Sequence, residues 1–357
     1  MRKKYLKCIC AILSLISLLG VVSSCNRKPT PAEDSCVETE ALTETNNGNG
    51  GDYETGDNSG SNDGDDPKEP PYKDADVFSM KAFDATFMSF NILNDSTPGD
   101  RTTQVINYML NSGVGVICMQ EVEKEQYDMI EPGLVEKYET IWYTRDGAND
   151  QGLAIAYEKS TWTLVESSRF WLSETPEVKS KGWGAKYYRI CVNALLEHQE
   201  TGARVNVFNV HLDNVSEDAR VNGLKLVLEK ASQSQYPIFV CGDFNARINS
   251  DTYNVISQTL QDAQQTASVS DIGRTYHNGF QYDDYDSTAI DFCFFSKEVF
   301  EISEFSICRD RRMDNNSYLS DHYPIKTALK FIYEYEEWYP TTTDKGFDLE
   351  LDTEFLN

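Results

Sequence analysis

Six short groups of polar residues stand beside apolar runs in this chain of 357 residues. They combine carboxylates, carboxamides and imidazoles, and two of the four histidines fall inside them. In chain order the groups are Ser89-Phe90-Asn91, Gln120-Glu121-Val122, Asn209-Val210-His211-Leu212-Asp213, Gly242-Asp243-Phe244-Asn245-Ala246, Ile290-Asp291-Phe292 and Ser320-Asp321-His322-Tyr323-Pro324. Side chains at strand ends can converge on one rim of a sheet, where binding sites are usually built. The groups therefore predict one polar site, assembled from distant parts of the chain.

The apolar runs that carry these groups are short and rich in β-branched and aromatic residues, which indicates strands. The predicted strands are Thr86–Asn91, Gly115–Gln120, Leu153–Glu158, Thr163–Trp171, Ile190–His198, Arg204–His211, Pro237–Cys241, Ile290–Phe295, Ile302–Ile307 and Ile325–Ile332. Helices are predicted over Arg101–Asn111, Ser216–Gln233 and Asp251–Leu260, and the second has apolar residues every three or four positions. Strands enough for two layers, mixed with helices, predict an α/β (α+β) fold: a β-sandwich covered by helices.

The six groups, in this order and with these gaps, resemble the endonuclease/exonuclease/phosphatase superfamily from about Ala85 to Ile332. Two further stretches, 170–176 and 275–277, resemble a secreted bacterial lipoprotein branch of it. The resemblance implies a four-layer, two-sheet β-sandwich flanked by helices, with the site at one edge. It also implies an enzyme that hydrolyses phosphoester bonds with a divalent metal ion, in the manner of a phosphodiesterase or phosphatase.

The resemblance assigns the metal ion to Asn91, Glu121 and Asp321. Glu121 is a hard carboxylate of the kind that binds Mg²⁺ or Mn²⁺, and the resemblance makes it the principal ligand, with Asn91 beside it and Asp321 as a second acidic contact. A cation there neutralises the non-bridging oxygens of a phosphate. Each residue also fits a plainer role: Asn91 in a turn, Glu121 as a helix cap and Asp321 in a surface pair.

Five more residues are catalytic by the same resemblance: His211, Asp243, Asn245, Asp291 and His322. Asp243 orients or deprotonates the attacking water, and Asn245 donates hydrogen bonds to the pentacovalent phosphate. His322 contacts a phosphate oxygen while Asp291 fixes its tautomer. His211 is a second donor to the phosphate or the leaving group. Independently of the resemblance, Asp291 opens an apolar strand, where an aspartate is unusual unless it is paired.

Arg189 and His277 are the predicted substrate-binding residues. Arg189 matches a family position that faces the phosphate, and His277 lies in a stretch typical of the secreted branch. Taken singly, both residues fit ordinary structural roles better, as Asn91 does. Four aromatic residues form either a substrate wall or part of the core, namely Trp171, Trp183, Tyr187 and Tyr188.

Residues 1–24 have the pattern of an export signal. Basic residues precede an apolar run from Cys8 to Val22, which is too short to span a bilayer comfortably and ends in small residues. The sequence Val22-Ser23-Ser24-Cys25 resembles the bacterial lipoprotein box. A lipoprotein signal peptide over 1–24 and lipidation of Cys25 are therefore predicted. The alternatives are an ordinary secretory signal and a short membrane anchor.

The predicted catalytic domain, residues 77–332, lies between two acidic segments. Residues 26–76 hold fourteen Asp or Glu against four Lys or Arg and almost no large apolar residues, so residues 25–76 are predicted to be the lipidated cysteine and a disordered linker. Residues 333–357 form an acidic tail. Together these segments predict an extracytoplasmic protein, lipid-anchored to a bacterial membrane or cell surface.

The formal net charge of −26 limits the substrates. An acidic surface repels phosphate backbones, which disfavours a nucleic-acid binder held by broad basic contacts. A small or lipid-derived phosphoester is therefore the favoured substrate, and the protein is expected to be a monomer. An extracellular nuclease is the first alternative, because a local basic cleft or a bound cation overcomes the charge. A catalytically idle surface binding protein is the second, and the presence of every catalytic residue type argues against it.

Overall fold

The computed structural model describes residues 82–147, 150–278, 289–310 and 318–332. The elements are β1 (Phe83–Asn91), α1 (Asp100–Asn111), β2 (Val116–Val122), α2 (Lys124–Leu134), β3 (Tyr138–Thr144), β4 (Gly152–Glu158), β5 (Trp162–Trp171), β6 (Ile190–His198), β7 (Arg204–His211), α3 (Glu217–Ser232), β8 (Ile238–Asp243), α4 (Asp251–Ser257), β9 (Gln261–Asp262), α5 (Ala263–Thr266), β10 (Val269–Ser270), β11 (Asp291–Phe295), β12 (Phe300–Ile307) and β13 (Ile325–Phe331). The predicted signal peptide, Cys25, the linker to residue 76 and the tail after residue 332 lie outside the described residues. Among the residues described, none of the helices has the length and apolar content needed to cross a membrane.

The strands form two sheets. The first sheet has the order β10-β12-β13-β1-β2-β4-β3, and the second has the order β5-β6-β7-β8-β11-β9. Each sheet contains a parallel pair whose strands are joined through a helix: β1 and β2 through α1, and β7 and β8 through α3. Parallel neighbours need such a crossover connection, whereas antiparallel ones need only a turn. Two β-α-β units, one in each sheet, are therefore the frame of the domain.

Side-chain alternation along the strands separates an inner core from two outer ones. Phe87 and Val207 point between the two sheets, whereas their chain neighbours Met88 and Phe208 point outward, because successive strand residues face opposite sides. The outer face of the first sheet packs on α1 and α2, and that of the second sheet packs on α3 and α4. The layers are helix, sheet, sheet and helix, so the predicted fold is confirmed.

Each of the ten predicted strands overlaps an observed strand, and the three predicted helices are present. The helix predicted over Asp251–Leu260 ends earlier, at Ser257. Its first turn is well defined, since the side chain of Ser250 accepts a hydrogen bond from the backbone N–H of Tyr253. The start of the helix is therefore specified by the sequence more sharply than its end.

The sequence prediction omits α2 and β3, as well as the short elements β9, α5 and β10. Helix α2 buries only Gln126, Ile130 and Leu134, which is a single narrow stripe, and it contains Pro132. Proline disfavours a helix interior, so the local sequence does not indicate a helix there. Strand β3 lies at the edge of the first sheet and fully buries only Tyr138. An edge strand with one buried side chain gives almost no period-two signal.

Candidate active site

Four of the predicted site residues lie at the carboxyl ends of the two parallel strand pairs. Asn91 ends β1 and Glu121 lies next to the end of β2, while His211 and Asp243 end β7 and β8 as register partners. Parallel strands end at the same edge of a sheet, so each β-α-β unit delivers two side chains to one edge. A hydrogen bond of 3.1 Å from Asn91 Nδ2 to Asp243 Oδ2 joins the two edges.

Three more site residues, Asp291, Asp321 and His322, come from strands that run in the opposite direction. Strand β11 is antiparallel to β8, and its first residue, Asp291, stands opposite Asp243. Strand β13 is antiparallel to β1, so the segment before it, with Asp321 and His322, reaches the same edge. All six polar groups therefore meet at one end of the sandwich, as the sequence predicts.

The alternation of the strands turns these side chains toward the space between the sheets. Asp243 shares a strand face with Cys241, and His211 shares one with Val207, and both Cys241 and Val207 belong to the inner core. The site is therefore the polar end of the inner core. Its residues are deeply buried: the residue exposure is 2% for Asp243 and 8% for His211.

Glu121 reaches the site by breaking the alternation. Its φ angle is 61°, and the register between β2 and β4 shifts between Met119 and Val122, which marks a β-bulge. The bulge presents the Glu121 carboxylate to the side chains of Asn91 (Nδ2 to Oε1, 3.2 Å) and Asn94 (Nδ2 to Oε2, 2.7 Å). A left-handed φ is uncommon for a residue other than glycine and is often found at functional sites.

The turn after β8 depends on Gly242 and Asn245. Gly242 has a φ of 146°, and an added Cβ would stand 1.9 Å from the carbonyl oxygen of Val210, so only glycine allows β8 to lie this close to β7. Asn245 has a φ of 48°, a conformation that asparagine tolerates. Its backbone N–H donates to Asp243 Oδ1 at 2.9 Å, and its Nδ2 donates to the carbonyl oxygen of Leu212 at 3.1 Å.

His322 is held between two buried carboxylates. Its Nδ1 lies 2.9 Å from Asp291 Oδ2, and its Nε2 lies 3.7 Å from Asp243 Oδ2. Burial alone would lower the pKa of His322, but the charges of Asp291 and Asp243 raise that pKa to about 10. Ligand atoms of these three residues lie within 4.8 Å of one another, a spacing that could also hold a metal ion. Because one ring nitrogen of His322 faces Asp291 and the other faces Asp243, we interpret the three as an acid–base chain.

The two imidazoles of the site differ in charge. His211 Nε2 lies 3.4 Å from Asp243 Oδ2, yet burial, together with the charges of Arg189 and His322, holds the pKa of His211 well below its usual range. His211 is therefore neutral where His322 is protonated. Burial, opposed by the charge of His322 and assisted by that of Asp291, raises the pKa of Asp243 to about 7. Asp243 can thus exchange a proton near neutral pH.

The donor set suits a hard divalent cation at Glu121 and Asp321. These two carboxylates and Asp243 line the same cavity, and burial followed by the charge of Glu121 raises the pKa of Asp321, with His322 opposing. An ion with oxygen ligands, such as Mg²⁺ or Mn²⁺, would relieve this repulsion.

Asn91, the third predicted ligand, has a different geometry. Its Oδ1 accepts the backbone N–H of Leu93 at 3.1 Å, and its Nδ2 donates to both Glu121 and Asp243. In this structure Asn91 therefore holds two carboxylates together, and to bind a cation its carboxamide oxygen would have to turn toward them.

Arg189 is a buried cation that faces the cavity. It is 5% exposed, and its Nε has no hydrogen-bond partner. The Oδ2 atom of Asp213 lies 3.8 Å away, but the Asp213 carboxylate already accepts four backbone N–H groups, from residues 186, 187, 215 and 216. Arg189 also lines the cavity, and its planar guanidinium is suited to bind an anion there.

The cavity has a volume of about 450 Å³ and is bordered by residues that the sequence prediction omits. They include Asn94, Arg145, Gln151, Asn214 and Tyr276. Arg145 directly follows β3, the edge strand that the sequence pattern does not reveal. Among the four aromatic residues considered as a substrate wall, Tyr187 lines this cavity and Trp171 belongs to the inner core.

His277 is not brought to this cavity. Its side chain is fully buried, with ring centroids 4.8 Å from Tyr318 and 4.6 Å from Tyr323. Its backbone N–H donates to the carbonyl oxygen of Asp321 at 2.9 Å. The structure therefore gives His277 a packing role behind the site, and its neighbour Tyr276 lines the cavity instead.

Two buried carboxamides join the sheets one layer below the site. Gln120 Nε2 donates to Asn209 Oδ1 at 2.8 Å and to Ser89 Oγ at 3.1 Å. Asn209 Nδ2 donates to the carbonyl oxygens of Met119 and Ala154, both at 3.0 Å. Strands β1, β2, β4 and β7 are thereby fixed relative to one another directly beneath the residues that they deliver.

Comparison with known proteins gives one family and several relatives. The model of the endonuclease/exonuclease/phosphatase family matches residues 88–322. An uncharacterised protein of Acanthamoeba polyphaga mimivirus is 25% identical over 246 residues, which cover 63% of this chain and 90% of the relative. The Ccr4 3'-5'-exoribonuclease subunit of the Candida albicans CCR4-Not complex is 21% identical over 215 residues, which cover 49% of this chain and 27% of that subunit.

Solved structures from Bacteroides thetaiotaomicron are similar over their whole length. An endonuclease/exonuclease/phosphatase family protein is 27% identical with a TM-score of 0.65, and the match covers 71% of this chain and 100% of the other. A mannosyl-6-phosphatase is also 27% identical, with a TM-score of 0.63 and coverage of 70% and 100%.

Proposed function

The chain belongs to the endonuclease/exonuclease/phosphatase family, whose members hydrolyse phosphoester bonds, and from that premise we propose that it is a divalent-metal-dependent phosphoester hydrolase. One observation carries the proposal. The carboxylates of Glu121, Asp321 and Asp243, the imidazole of His322 and the buried Arg189 all face one cavity of about 450 Å³. These are the groups that phosphoryl transfer requires, because it depends on positioning and on stabilising negative charge.

The metal ion would be held by Glu121 and Asp321, with Asn91 beside them. When bound, it would neutralise the non-bridging phosphate oxygens. Asp243, whose pKa burial raises to about 7, orients the attacking water and accepts its proton. His322, which the charges of Asp291 and Asp243 keep protonated against the effect of burial, donates from Nε2 to a phosphate oxygen.

Three further residues complete the site around the phosphate. The neutral His211 is placed to donate to the phosphate or to the leaving oxygen. Asn245 supplies a carboxamide at the cavity wall, and Arg189 pairs with a phosphate oxygen from the opposite side. None of these groups has to move far, since their backbones are fixed by the strand ends and by the turn after β8.

The substrate is, by this proposal, a small phosphorylated compound such as a sugar phosphate. A cavity of this size suits a small molecule, and the mannosyl-6-phosphatase to which the chain is similar is aligned over its whole length. The acidic charge of the chain also disfavours long nucleic acids. A phosphorylated lipid headgroup would fit the same cavity chemistry.

Turnover of a substrate panel tests this proposal. The purified domain would be assayed with Mg²⁺ or Mn²⁺ against mannose 6-phosphate, other sugar phosphates, inositol phosphates, sphingomyelin, RNA, DNA and a bis-aryl phosphate. We expect hydrolysis of a small phosphoester, its loss with EDTA and its recovery when Mg²⁺ or Mn²⁺ is added. Full turnover in excess chelator would reject metal dependence, and inactivity on every substrate would reject the enzyme.

A nuclease is the second candidate, because relatives of the chain include a 3'-5'-exoribonuclease subunit. The chain covers only 27% of that subunit's length, so the similarity concerns part of the subunit. The same panel separates the two candidates. Faster turnover of RNA or DNA than of every small phosphoester would favour the nuclease.

We further propose that the protein is exported and anchored by a lipid on Cys25. The support is the basic start, the apolar run to Val22 and the small residues before Cys25. A Cys25→Ala variant expressed in a bacterium is expected to leave the membrane fraction, since the lipidated residue would supply the anchor. If the variant stays with the membrane, the apolar run itself would be the anchor.

A further inference from the structure

Arg145 stands beside Arg189 at the cavity although nothing in the proposed chemistry uses it. Its backbone is held on both sides: its N–H donates to the carbonyl oxygen of Gln151 at 3.0 Å, and its own carbonyl oxygen accepts from Trp171 Nε1 at 2.9 Å. Its side-chain Nε donates to Asp150 Oδ2 at 3.1 Å. Because the backbone and Nε are fixed, the outer nitrogens of the guanidinium are held in a defined place at the cavity.

The two arginines flank one aromatic ring. The guanidinium carbon of Arg145 lies 5.3 Å from the centre of the Tyr187 ring, and that of Arg189 lies 5.6 Å from it. Contacts of this kind with an aromatic face stabilise a guanidinium modestly. They also hold both guanidinium groups at one side of the cavity. Arg145 and Arg189 together form the arginine wall of the cavity.

Two adjacent like charges are unfavourable unless an anion lies between them. Burial and the charge of Arg145 together lower the pKa of Arg189 to about 10, with Asp243 and Asp213 opposing. Asp150 and Asp213 each take part of one guanidinium, but the Nε of Arg189 stays without a hydrogen bond. That Nε lies 3.8 Å from Asp213 Oδ2, so each carboxylate faces the inner nitrogen of its arginine, while both guanidinium groups border the cavity in which the phosphate would bind.

The same wall borders the main cavity and a second, much smaller space. A recess of about 10 Å³, bordered by Arg145, Arg189 and His211 among others, opens beside the main cavity. That volume holds about one water molecule, which is the size of a terminal phosphate oxygen. An ester substituent would not fit there.

We propose that Arg145, together with Arg189, makes this site selective for phosphomonoesters, whose terminal phosphate presents an additional charged oxygen to the arginine wall. This inference rests on the proposed phosphoester hydrolysis and concerns which ester the site prefers. A monoester carries about −1.5 to −2 charges at neutral pH and has three terminal oxygens. A diester carries a single charge and has one fewer terminal oxygen, so it offers the arginine wall less charge and has no additional oxygen for the recess. Arginine suits this role because its planar fork can bind two oxygens at once.

The test compares two esters with the same leaving group. Turnover of 4-nitrophenyl phosphate and of methyl 4-nitrophenyl phosphate would be measured with Mg²⁺ or Mn²⁺ for the wild type, Arg145→Gln and Arg145→Lys. We expect the wild type to prefer the monoester. Arg145→Gln should lower kcat/KM for the monoester about 10- to 100-fold and change the diester little, since a charged hydrogen bond is lost only with the former. The kcat/KM of Arg145→Lys for the monoester should lie between those of the wild type and Arg145→Gln.

Lys186→Gln is the matched control. The Lys186 ammonium also lies against the Tyr187 ring, 4.8 Å from its centre, but it does not border the cavity. Its loss removes the same charge and should leave the ratio of monoester to diester turnover unchanged. Thermal melts would establish that each variant is folded.

A binding measurement separates this inference from the proposed function. Calorimetric titration with inorganic phosphate and with dimethyl phosphate needs no turnover, so it can be read even if no ester is hydrolysed. Arg145→Gln should weaken phosphate binding at least about tenfold and leave the weaker dimethyl phosphate binding unaltered. Equal losses for both anions and both esters, or no loss for either, would overturn the role of Arg145. A wild type that binds phosphate selectively but hydrolyses nothing would reject the proposed function alone.

Discussion

The β1-α1-β2 and β7-α3-β8 units reach the same cavity with the same construction and deliver different groups to it. The first unit ends in Asn91 and Glu121, where a bulge surrounds the carboxylate with amide donors. The second unit ends in His211 and Asp243, where the carboxylate faces imidazoles and lies on the face of the inner core. The parallel strands determine where these side chains lie. The type of residue at each strand end determines what chemistry the side chain can perform.

The surroundings of each carboxylate explain why Asp243 suits proton exchange and Glu121 suits metal binding. Asp243 is 2% exposed, and its pKa rises to about 7, so it suits proton exchange. Glu121 has a left-handed backbone and accepts hydrogen bonds from Asn91 and Asn94, which suits a carboxylate that remains available to a cation. The comparison therefore predicts that removing the Asp243 carboxylate impairs proton transfer, whereas removing the Glu121 carboxylate impairs metal binding.

The largest effect is expected from Asp243→Asn. The amide keeps the shape of the side chain but cannot accept the proton of the water, so kcat should fall by about 10²- to 10⁴-fold. Raising the metal concentration should not restore the rate, because the lost group is a base. The measurement is kcat at a series of Mg²⁺ concentrations, with a thermal melt to verify folding. A folded variant with near-normal kcat would reject Asp243 as the base.

Glu121→Gln is expected to have a large effect of another kind. Removing a principal ligand should weaken the apparent affinity for Mg²⁺ on the order of 10²-fold, so part of the lost rate should return at high Mg²⁺ or Mn²⁺. Direct titration of the metal by calorimetry measures this without substrate. If the metal affinity of Glu121→Gln equals that of the wild type, the two units do not divide the work as described.

A smaller loss is expected from Asp291→Asn, since Asp291 acts through His322. Asp291 and Asp243 raise the pKa of His322 to about 10 against the effect of burial, so the imidazole is protonated below that pH and loses its proton above it. Without the Asp291 charge the pKa of His322 falls. Activity should then decline at a lower pH in the variant than in the wild type, and kcat/KM at neutral pH should drop about 10- to 100-fold.

A double-variant cycle tests whether the two residues act as one unit. The combined Asp291→Asn and His322→Ala protein should lose little more kcat/KM than His322→Ala alone, because both changes remove the same proton donor. Additive losses, or a pH profile of Asp291→Asn identical to that of the wild type, would show that Asp291 does not control the charge of His322.

The sequence predicts the sheets better than it predicts the rim of the cavity. Strands β6 and β7 are predicted to the residue, because the inner core takes alternate apolar residues along each strand (Val192, Ala194 and Leu196 in β6, Val205 and Val207 in β7), and this pattern is a strong signal. Strand β3 and helix α2 bury few side chains and leave no comparable pattern. Arg145 follows β3 and is missed together with it.

Some site residues also have positions that follow from regular strand alternation, and others do not. His211, Asp243 and Asp291 could be predicted, since they terminate or begin regular inward-facing rows. The orientation of Glu121 could not be derived from alternation, which would point it outward, because the bulge in β2 depends on its partner strand β4. The unpaired Nε of Arg189 and the arginine wall arise from loops that meet only in the folded protein, which no local pattern records.

The smallest effect is expected where the two units are tied together, at Gln120 and Asn209. Gln120→Leu would leave Asn209 Oδ1 without its donor at 2.8 Å. Asn209→Leu would remove that contact and also the donors to the carbonyl oxygens of Met119 and Ala154. Each buried group left unsatisfied costs about 1–3 kcal/mol. Asn209→Leu should therefore lower the free energy of unfolding more than Gln120→Leu does.

Urea unfolding of the two single variants and the double variant would measure this coupling. The double variant should lose less than the sum of the single losses, because the contact between the two carboxamides can be lost only once. Asn111→Ala, at an exposed carboxamide that ends α1, is the control and should change the unfolding free energy by less than about 0.5 kcal/mol. Strictly additive losses would mean that the amide layer does not couple the unit carrying Glu121 to the unit carrying Asp243.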